Sequence, residues 1–271
     1  MKTNKFSRRK FFERSLCLAG VPLTLMSLSA DREKSKRPGI FSFQDVPDKV
    51  RISELLKQKT PPLIWVFTGD SITHGAKHTQ GYRSYPEIFA ERIRWELGRT
   101  RDVVINTGIS GNTTQTILND FDWRIKQFKP AVVSLMIGTN DCAKTRVPLP
   151  LFEENLYKLV KGIRDLSAIP ILHTPNIIII EKDPVRSSLP EYIPIIRNIC
   201  SKEKVILVDN YRHWQESLEN NSVKVYNEWL NDPLHPDGEG HSEIARLMFR
   251  ELSIFDPAAP TCGGPYYEGE H

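Results

Sequence analysis

The sequence predicts a three-layer α/β/α sandwich around a five-stranded parallel sheet, and three observations lead there. Five short runs are rich in aliphatic and β-branched residues with little polar alternation: LIWVF (63–67), VVIN (103–106), AVVSLMIG (131–138), IPILHT (169–174) and KVILVD (204–209). Strands of that kind are buried on both faces, as in a parallel sheet. Helical patterns with apolar residues three and four apart lie between them, and strand alternating with helix implies right-handed crossovers that cover both faces. Finally, 271 residues with 39% hydrophobic, 15 Gly and 19 Pro suffice for one large core, and the composition is neither fibrous nor disordered.

In chain order, the first thirty residues differ from the rest. MKTNKFSRRKFFERS places Arg8 and Arg9 after Ser7 and before Phe11 and Phe12, and the uncharged SLCLAGVPLTLMSLSA follows, ending in small residues. This is the layout of a secretory signal, and Ser-Arg-Arg-x-Phe is similar to the twin-arginine type that exports folded proteins. The apolar stretch 15–30 falls short of the roughly 18 to 20 residues that span a bilayer. A cleaved signal is therefore expected, on a bacterial protein sent to the periplasm or beyond, with no integral span in the mature chain. Arg14, Ser15 and Leu16 do not read as a lipid-attachment box before Cys17. Residues 31–60, opening on the charged DREKSKRPG, read as a linker and N-terminal extension, 61–256 as the domain, and 257–271 as a C-terminal tail.

Residues 1–30 hold six basic side chains and one acidic, a surplus of five, so without them the formal charge of +4 becomes −1. The basicity belongs to the export signal, and a nucleic-acid role loses its electrostatic footing. Cys142, Cys200 and Cys262 remain, an odd number without metal-type spacing that leaves room for one disulfide of unspecified pairing.

Among the helices, Ile88, Phe89, Ile93 and Leu97 share one face, as do Ile117, Phe121, Ile125 and Phe128. Phe152, Leu156, Leu159, Val160 and Ile163 form another stripe, and a last helix over 242–252 turns Ile244, Leu247 and Met248 inward.

Three strands end in polar and small residues: Gly69, Asp70 and Ser71; then Asn106, Gly108, Ser110 and Gly111; then Gly138, Thr139, Asn140 and Asp141. Asp, Ser, Thr and Asn are ordinary helix caps, and capping explains any one cluster taken alone. Three along the carboxyl edge of a parallel sheet, where ligands bind, point to a site. A nucleophilic serine needs a base, and the base needs an orienting acid. NDPLHPDGEGH (231–241) supplies both on one loop, Asp232 and His235 three residues apart. Of the histidines weighed against it, His74, His173, His213 and His241, none has both an acid at that spacing and a helix directly after it. Acyl transfer also needs oxyanion donors, available from the backbone N–H of Ser71, the backbone N–H of Gly111 and the side-chain amide of Asn140. Gly108 and Gly138 read as turn requirements, and Asp70 and Asp141 as local hydrogen-bonding groups.

By these residues the chain resembles the SGNH, or GDSL-type, hydrolases. GDSITHG resembles the first block of that family, GISGNT the second, GTND the third and DPLHPDG the fifth, in order and across about 63–252. Ile72 stands where leucine is common, and no G-x-S-x-G elbow surrounds Ser71. The resemblance implies a flavodoxin-like sandwich and hydrolysis of carboxylic esters without metal or other cofactor. It assigns Ser71 as nucleophile, Asp232 and His235 as its partners, and Ser71, Gly111 and Asn140 as oxyanion donors.

Export and the lack of a large apolar lid fit a polar ester, small-molecule or glycan, and many exported members of that family remove acetyl groups from carbohydrate. A short-chain acetyl esterase is therefore expected. The alternatives are a lipase or lysophospholipase, using the four consecutive isoleucines (177–180) of NIIIIEKDPVRSSLPEYIP (176–194) as an acyl wall, and a non-catalytic glycan-binding module on the same scaffold. Those isoleucines are read as core. A nucleotide-binding flavodoxin-like protein would want a phosphate-loop lysine or G-x-G-x-x-G, and neither occurs. The sequence says nothing of oligomeric state or of the tail's purpose.

Overall fold

The structure, a computed structural model, describes residues 46–75, 77–143 and 146–266. The export-signal reading of 1–30 lies outside them. Helix α1 (Asp48–Lys57) precedes β1 (Ile64–Gly69), which runs into the single turn α2 (Ser71–His74) and then α3 (Tyr85–Glu91). Strand β2 (Val103–Asn106), α4 (Thr114–Asn119), α5 (Phe121–Arg124) and β3 (Val132–Met136) follow. Next come α6 (Leu149–Asp165), β4 (Ile169–Thr174), α7 (Leu189–Glu203) and β5 (Ile206–Asp209), and then α8 (Asn210–Asn220), α9 (Ser222–Lys224) and α10 (Gly238–Glu251).

All four strand pairings are parallel, and the sheet order is β2-β1-β3-β4-β5. This is the doubly wound order in which the chain reverses direction across the sheet between β1 and β3. Side chains alternate between two separate cores. Trp65, Phe67, Val132, Met136, Ile169, Ile171, Ile206 and Val208 meet α1, α3, α8 and α10 on one face. Val66, Val133, Leu135, Leu172 and Val205 meet α4, α6 and α7 on the other. Burial on both faces explains why these strands carry no polar alternation, and each buried large apolar side chain contributes about 1.5 to 3 kcal/mol. The edge strand β2 departs from that pattern, with Val103 49% exposed.

Three segments differ from expectation. The 117–128 stripe is not one helix: α4 ends at Asn119, α5 adds one turn, and a 3-10 turn covers Lys126–Phe128. The backbone leaves helical geometry at Asp120 (φ −102°, ψ 13°) and again at Ile125 (φ −126°), and buried Arg124 between them donates to Asp120 and to the Thr107 carbonyl oxygen. The last helix starts four residues early, because Asp237 caps the N–H groups of Glu239 and Gly240. Gly240 fits there because its bare Cα passes the Trp229 carbonyl, where a Cβ would lie 2.2 Å from the oxygen. In the tail, Pro260–Cys262 forms a buried turn held by Thr261 donating to Glu96.

Candidate active site

Strand β1 sits between β2 and β3, so its carboxyl end opens into the crevice of the sheet. There Asp70 caps α2 by accepting the Ile72 N–H at 2.9 Å, and Gly75, at φ 73°, ends the turn after His74. The cap and stop hold Ser71 as the first residue of one rigid turn. Gly108 from the next loop packs under that turn, where a Cβ would lie 2.6 Å from the His74 nitrogen. Its requirement is therefore close approach, whereas Gly138 has the positive φ, 126°, expected of a turn.

Ser71 Oγ lies 2.9 Å from His235 Nε2. On the far side of the ring, His235 Nδ1 is 2.8 Å and 3.1 Å from the two carboxylate oxygens of Asp232. The three residues thus form one hydrogen-bonded chain, although 164 positions separate the serine from the histidine. The 231–237 loop is fixed locally: Asp232 Oδ1 accepts the backbone N–H groups of Leu234 and His235 at 2.8 and 2.7 Å, and Leu230 bridges Pro236. Partial burial alone would raise the Asp232 carboxyl, but the His235 and Leu234 N–H groups and the His235 ring outweigh it and hold the group below its ordinary range.

A second imidazole joins this chain. His78 lies parallel to His235, ring centroids 3.5 Å apart and planes 7° from coplanar, with its Nδ1 3.2 Å from Asp232 Oδ2. Partial burial and the neighbouring His235 lower the His78 pKa. Ligand atoms of His78, Asp232 and His235 lie within 4.8 Å of one another, but two parallel imidazoles at that spacing cannot both aim a ring lone pair at one ion. The sequence reading missed His78, because its link to Asp232 spans more than 150 positions and no local pattern marks it.

The expected oxyanion donors surround the same turn. Gly111 is exposed at φ 82°, with nothing within 4 Å of where a Cβ would stand. Dihedral angle, not crowding, makes glycine the fitting residue there. Among the described residues no acceptor meets the backbone N–H of Ser71 or Gly111. Asn140 is buried, its Nδ2 3.1 Å from the Asn112 carbonyl and 3.5 Å from Asp70 Oδ2. Arg186 donates to the Asn140 Oδ1 at 3.0 Å, to the Thr139 carbonyl, and to Asp183. That orients the amide nitrogen away from Arg186 and towards the Ser71 turn. Asp141 accepts the N–H and hydroxyl of Thr114. Burial pushes Asp70 up to about 7 and Asp141 up to about 6, and each carboxylate accepts from groups behind the turn, Ile72 for Asp70 and Thr114 for Asp141.

The other histidines stand elsewhere. His173 is buried against Ser134, and His241 against the Tyr85 N–H; burial lowers each to about 3, keeping it neutral. His213 pairs with Glu243, and His74 faces solvent. In the 176–194 segment, Ile177 and Ile178 are buried, one in each core, as the core reading expects. Cys142, Cys200 and Cys262 are buried free thiols.

Residues 67–242, well over half of the chain, match the model of the GDSL-like lipase/acylhydrolase family. The chain belongs to that family. An acetylxylan esterase of Geobacillus stearothermophilus is 30% identical over 208 residues, covering 70% of this chain and 93% of that one. A solved acetyl-xylooligosaccharide esterase variant from the same genus superposes with a TM-score of 0.61 at 26% identity, over 72% of this chain and 96% of that one. An uncharacterized protein of Mycoplasma pneumoniae is 40% identical over 234 residues, 86% of this chain, which spans only 21% of that protein's length. The five-stranded parallel sheet is the one these GDSL-like folds share. Among the described residues no helix is long and apolar enough to cross a membrane.

Proposed function

We propose that the chain is a serine ester hydrolase that removes short acyl groups, acetyl above all, from carbohydrate through an acyl-enzyme on Ser71. The observation that carries this reading is the continuous hydrogen-bonded chain from Ser71 Oγ through His235 to Asp232. As the hydroxyl attacks the ester carbonyl, its proton passes to His235 Nε2, and the Asp232 carboxylate stabilises the imidazolium. The carbonyl oxygen becomes an oxyanion facing the N–H groups of Ser71 and Gly111 and the Asn140 amide. His235 then returns the proton to the leaving alcohol, and the same ring activates the water that hydrolyses the acyl-enzyme.

Two facts favour a short acyl group. The similar Geobacillus stearothermophilus protein is an acetylxylan esterase, and Ile177 and Ile178 fill the core instead of lining an acyl groove. Export through residues 1–30 belongs to the same reading, and a relative named as a lipoprotein in Bacillus subtilis, 31% identical over 175 residues, is consistent with it.

Hydrolysis of p-nitrophenyl esters from acetate to palmitate, followed by acetylated xylo-oligosaccharides, tests the proposal. Activity should be highest on acetate. It should fall by at least about 1,000-fold in Ser71→Ala and His235→Ala, with melting temperatures unchanged. Turnover that survives both substitutions would overturn the assignment, and a preference for long chains would move the substrate to lipid.

A further inference from the structure

Asp232 faces two imidazoles. Its Oδ1 is committed to the backbone N–H groups of Leu234 and His235, which leaves Oδ2 as the oxygen that both rings share, His235 Nδ1 at 2.8 Å and His78 Nδ1 at 3.2 Å. Because the rings lie parallel at 3.5 Å, His78 also covers one whole face of the His235 imidazole. With the Ser71 hydroxyl at Nε2 and the carboxylate at Nδ1, that contact restricts the rotation that would take Nε2 off the serine. The loop carrying His78 is tied to the same structure a second time, Gln80 Nε2 donating to Asn231 Oδ1 at 2.6 Å.

We propose that His78 is a positioning residue for the ester-hydrolysing reaction: as a neutral ring it steadies the Asp232 carboxylate and covers His235, holding Nε2 on the Ser71 hydroxyl. This rests on the reading of Ser71, His235 and Asp232 given above. The charge logic follows from the stack. When the serine proton reaches His235, the new imidazolium lies beside His78, where a neutral aromatic face is compatible with a cation and a second imidazolium repels it. The charged or titratable groups around His78 are Asp232, His235, its neighbour Lys77, and, further off, His241. Three of these four are basic and only Asp232 is acidic, so partial burial and His235 keep His78 neutral to lower pH than an ordinary histidine. Protonating it disarms the site, so two protons rather than one govern the acid limb of the rate profile.

The test compares the wild-type chain with His78→Ala, His78→Phe and His78→Asn, using p-nitrophenyl acetate, which is too small to reach the 77–83 loop through a glycan. Alanine should lower kcat about tenfold, short of the roughly 100-fold that a 1 Å misplacement brings, with KM changed less than twofold. The acid limb of kcat/KM should lose its two-proton steepness in alanine and phenylalanine alike. Asparagine, which restores a donor to Asp232, should recover kcat partly, and phenylalanine, which restores only the stacked face, should do so by a different amount. Independently of any turnover, exchange of the His235 Nδ1–H with water, read by proton NMR, should be at least about tenfold faster in alanine. An unchanged kcat and acid limb at unchanged melting temperature, or a loss confined to KM, would overturn the proposal. Should the wild-type chain hydrolyse no ester, the parent reading fails, and the proton-exchange rate alone decides whether His78 steadies the ring.

Discussion

If Asn140 is the oxyanion donor proposed above, removing Arg186 should weaken that site without touching Ser71. Arg186 makes a 3.0 Å bond to Asn140 Oδ1, and Asn140 is 4% exposed, so this charged donor anchors the oxygen end of the amide while the Asn112 carbonyl holds the nitrogen end. A hydrogen bond from a charged group contributes about 1.5 to 3 kcal/mol, which converts to an orientation preference of roughly 10- to 100-fold. In Arg186→Ala the amide keeps its Nδ2 bonds to the Asn112 carbonyl and Asp70 but loses the charged anchor at Oδ1, so the nitrogen is held less firmly in front of a developing oxyanion. Loss of kcat should therefore be about tenfold, short of the roughly 100-fold that a 1 Å misplacement brings and of the roughly 100- to 1,000-fold of deleting the donor in Asn140→Ala. Both variants are assayed on p-nitrophenyl acetate beside a thermal melt. Because one amide is responsible, Arg186→Ala made on top of Asn140→Ala should cost almost nothing more. Full additivity, or an Arg186→Ala enzyme with wild-type kcat and an intact melt, would refute the reasoning.

Other outcomes follow from the same residues. Burial raises Asp70 from 3.8 to about 7, with the Ile72 N–H and Arg186 opposing and Asp141 reinforcing. The folded state therefore holds an extra proton across that window, and stability falls as pH rises through it. Asp70→Asn keeps a capping oxygen for Ile72 and removes the charge, so its melting temperature should exceed the wild-type value at pH 8, with the gap closing towards pH 4; a constant gap would contradict it. Gly111→Ala places a Cβ in open space but at φ 82°, a strain of about 1 to 2 kcal/mol. The melt should drop by a few degrees, and kcat should fall by about tenfold or more as the N–H shifts; a change in the melt alone would remove Gly111 from the oxyanion site.

The architecture was legible because parallel strands buried on both faces leave an unmistakable apolar signature, and because the polar residues that end them fall at fixed places. Ser71, Gly111 and Asn140 could be picked out for that reason, Asp232 and His235 because an acid and a histidine share one loop before a helix, and the structure puts Ser71, Asp232 and His235 in one chain. What sequence could not show were contacts without local periodicity. Arg186 reaches Asn140 across 46 positions, and the backbone turns out of helix at Asp120 and Ile125 where the apolar stripe alone continues. The apolar stripe of the last helix begins at Ile244 and so marks only its later turns, whereas Asp237 caps a first turn in which Gly240 is required by the Trp229 carbonyl.

These non-local contacts also say how the two halves of the site stay in register. The segment after β4 braces the acid–base loop twice, with the Ile179 N–H donating to the Pro233 carbonyl at 2.8 Å and Asn176 Nδ2 donating to the Leu234 carbonyl at 3.1 Å. A few residues later the same segment sends Arg186 to Asn140. Its front end thus braces the loop of His235, and its far end anchors the Asn140 amide proposed as an oxyanion donor. Ile177 and Ile178, anchored in opposite cores, keep the front end from sliding relative to the sheet. On the proposed assignment a buried apolar anchor can therefore serve catalysis without touching substrate: the proposed general base and oxyanion donor come from loops more than ninety positions apart, and one stretch of backbone braces both. On this account, the isoleucines that resembled an acyl-binding wall act as the footing of the polar site.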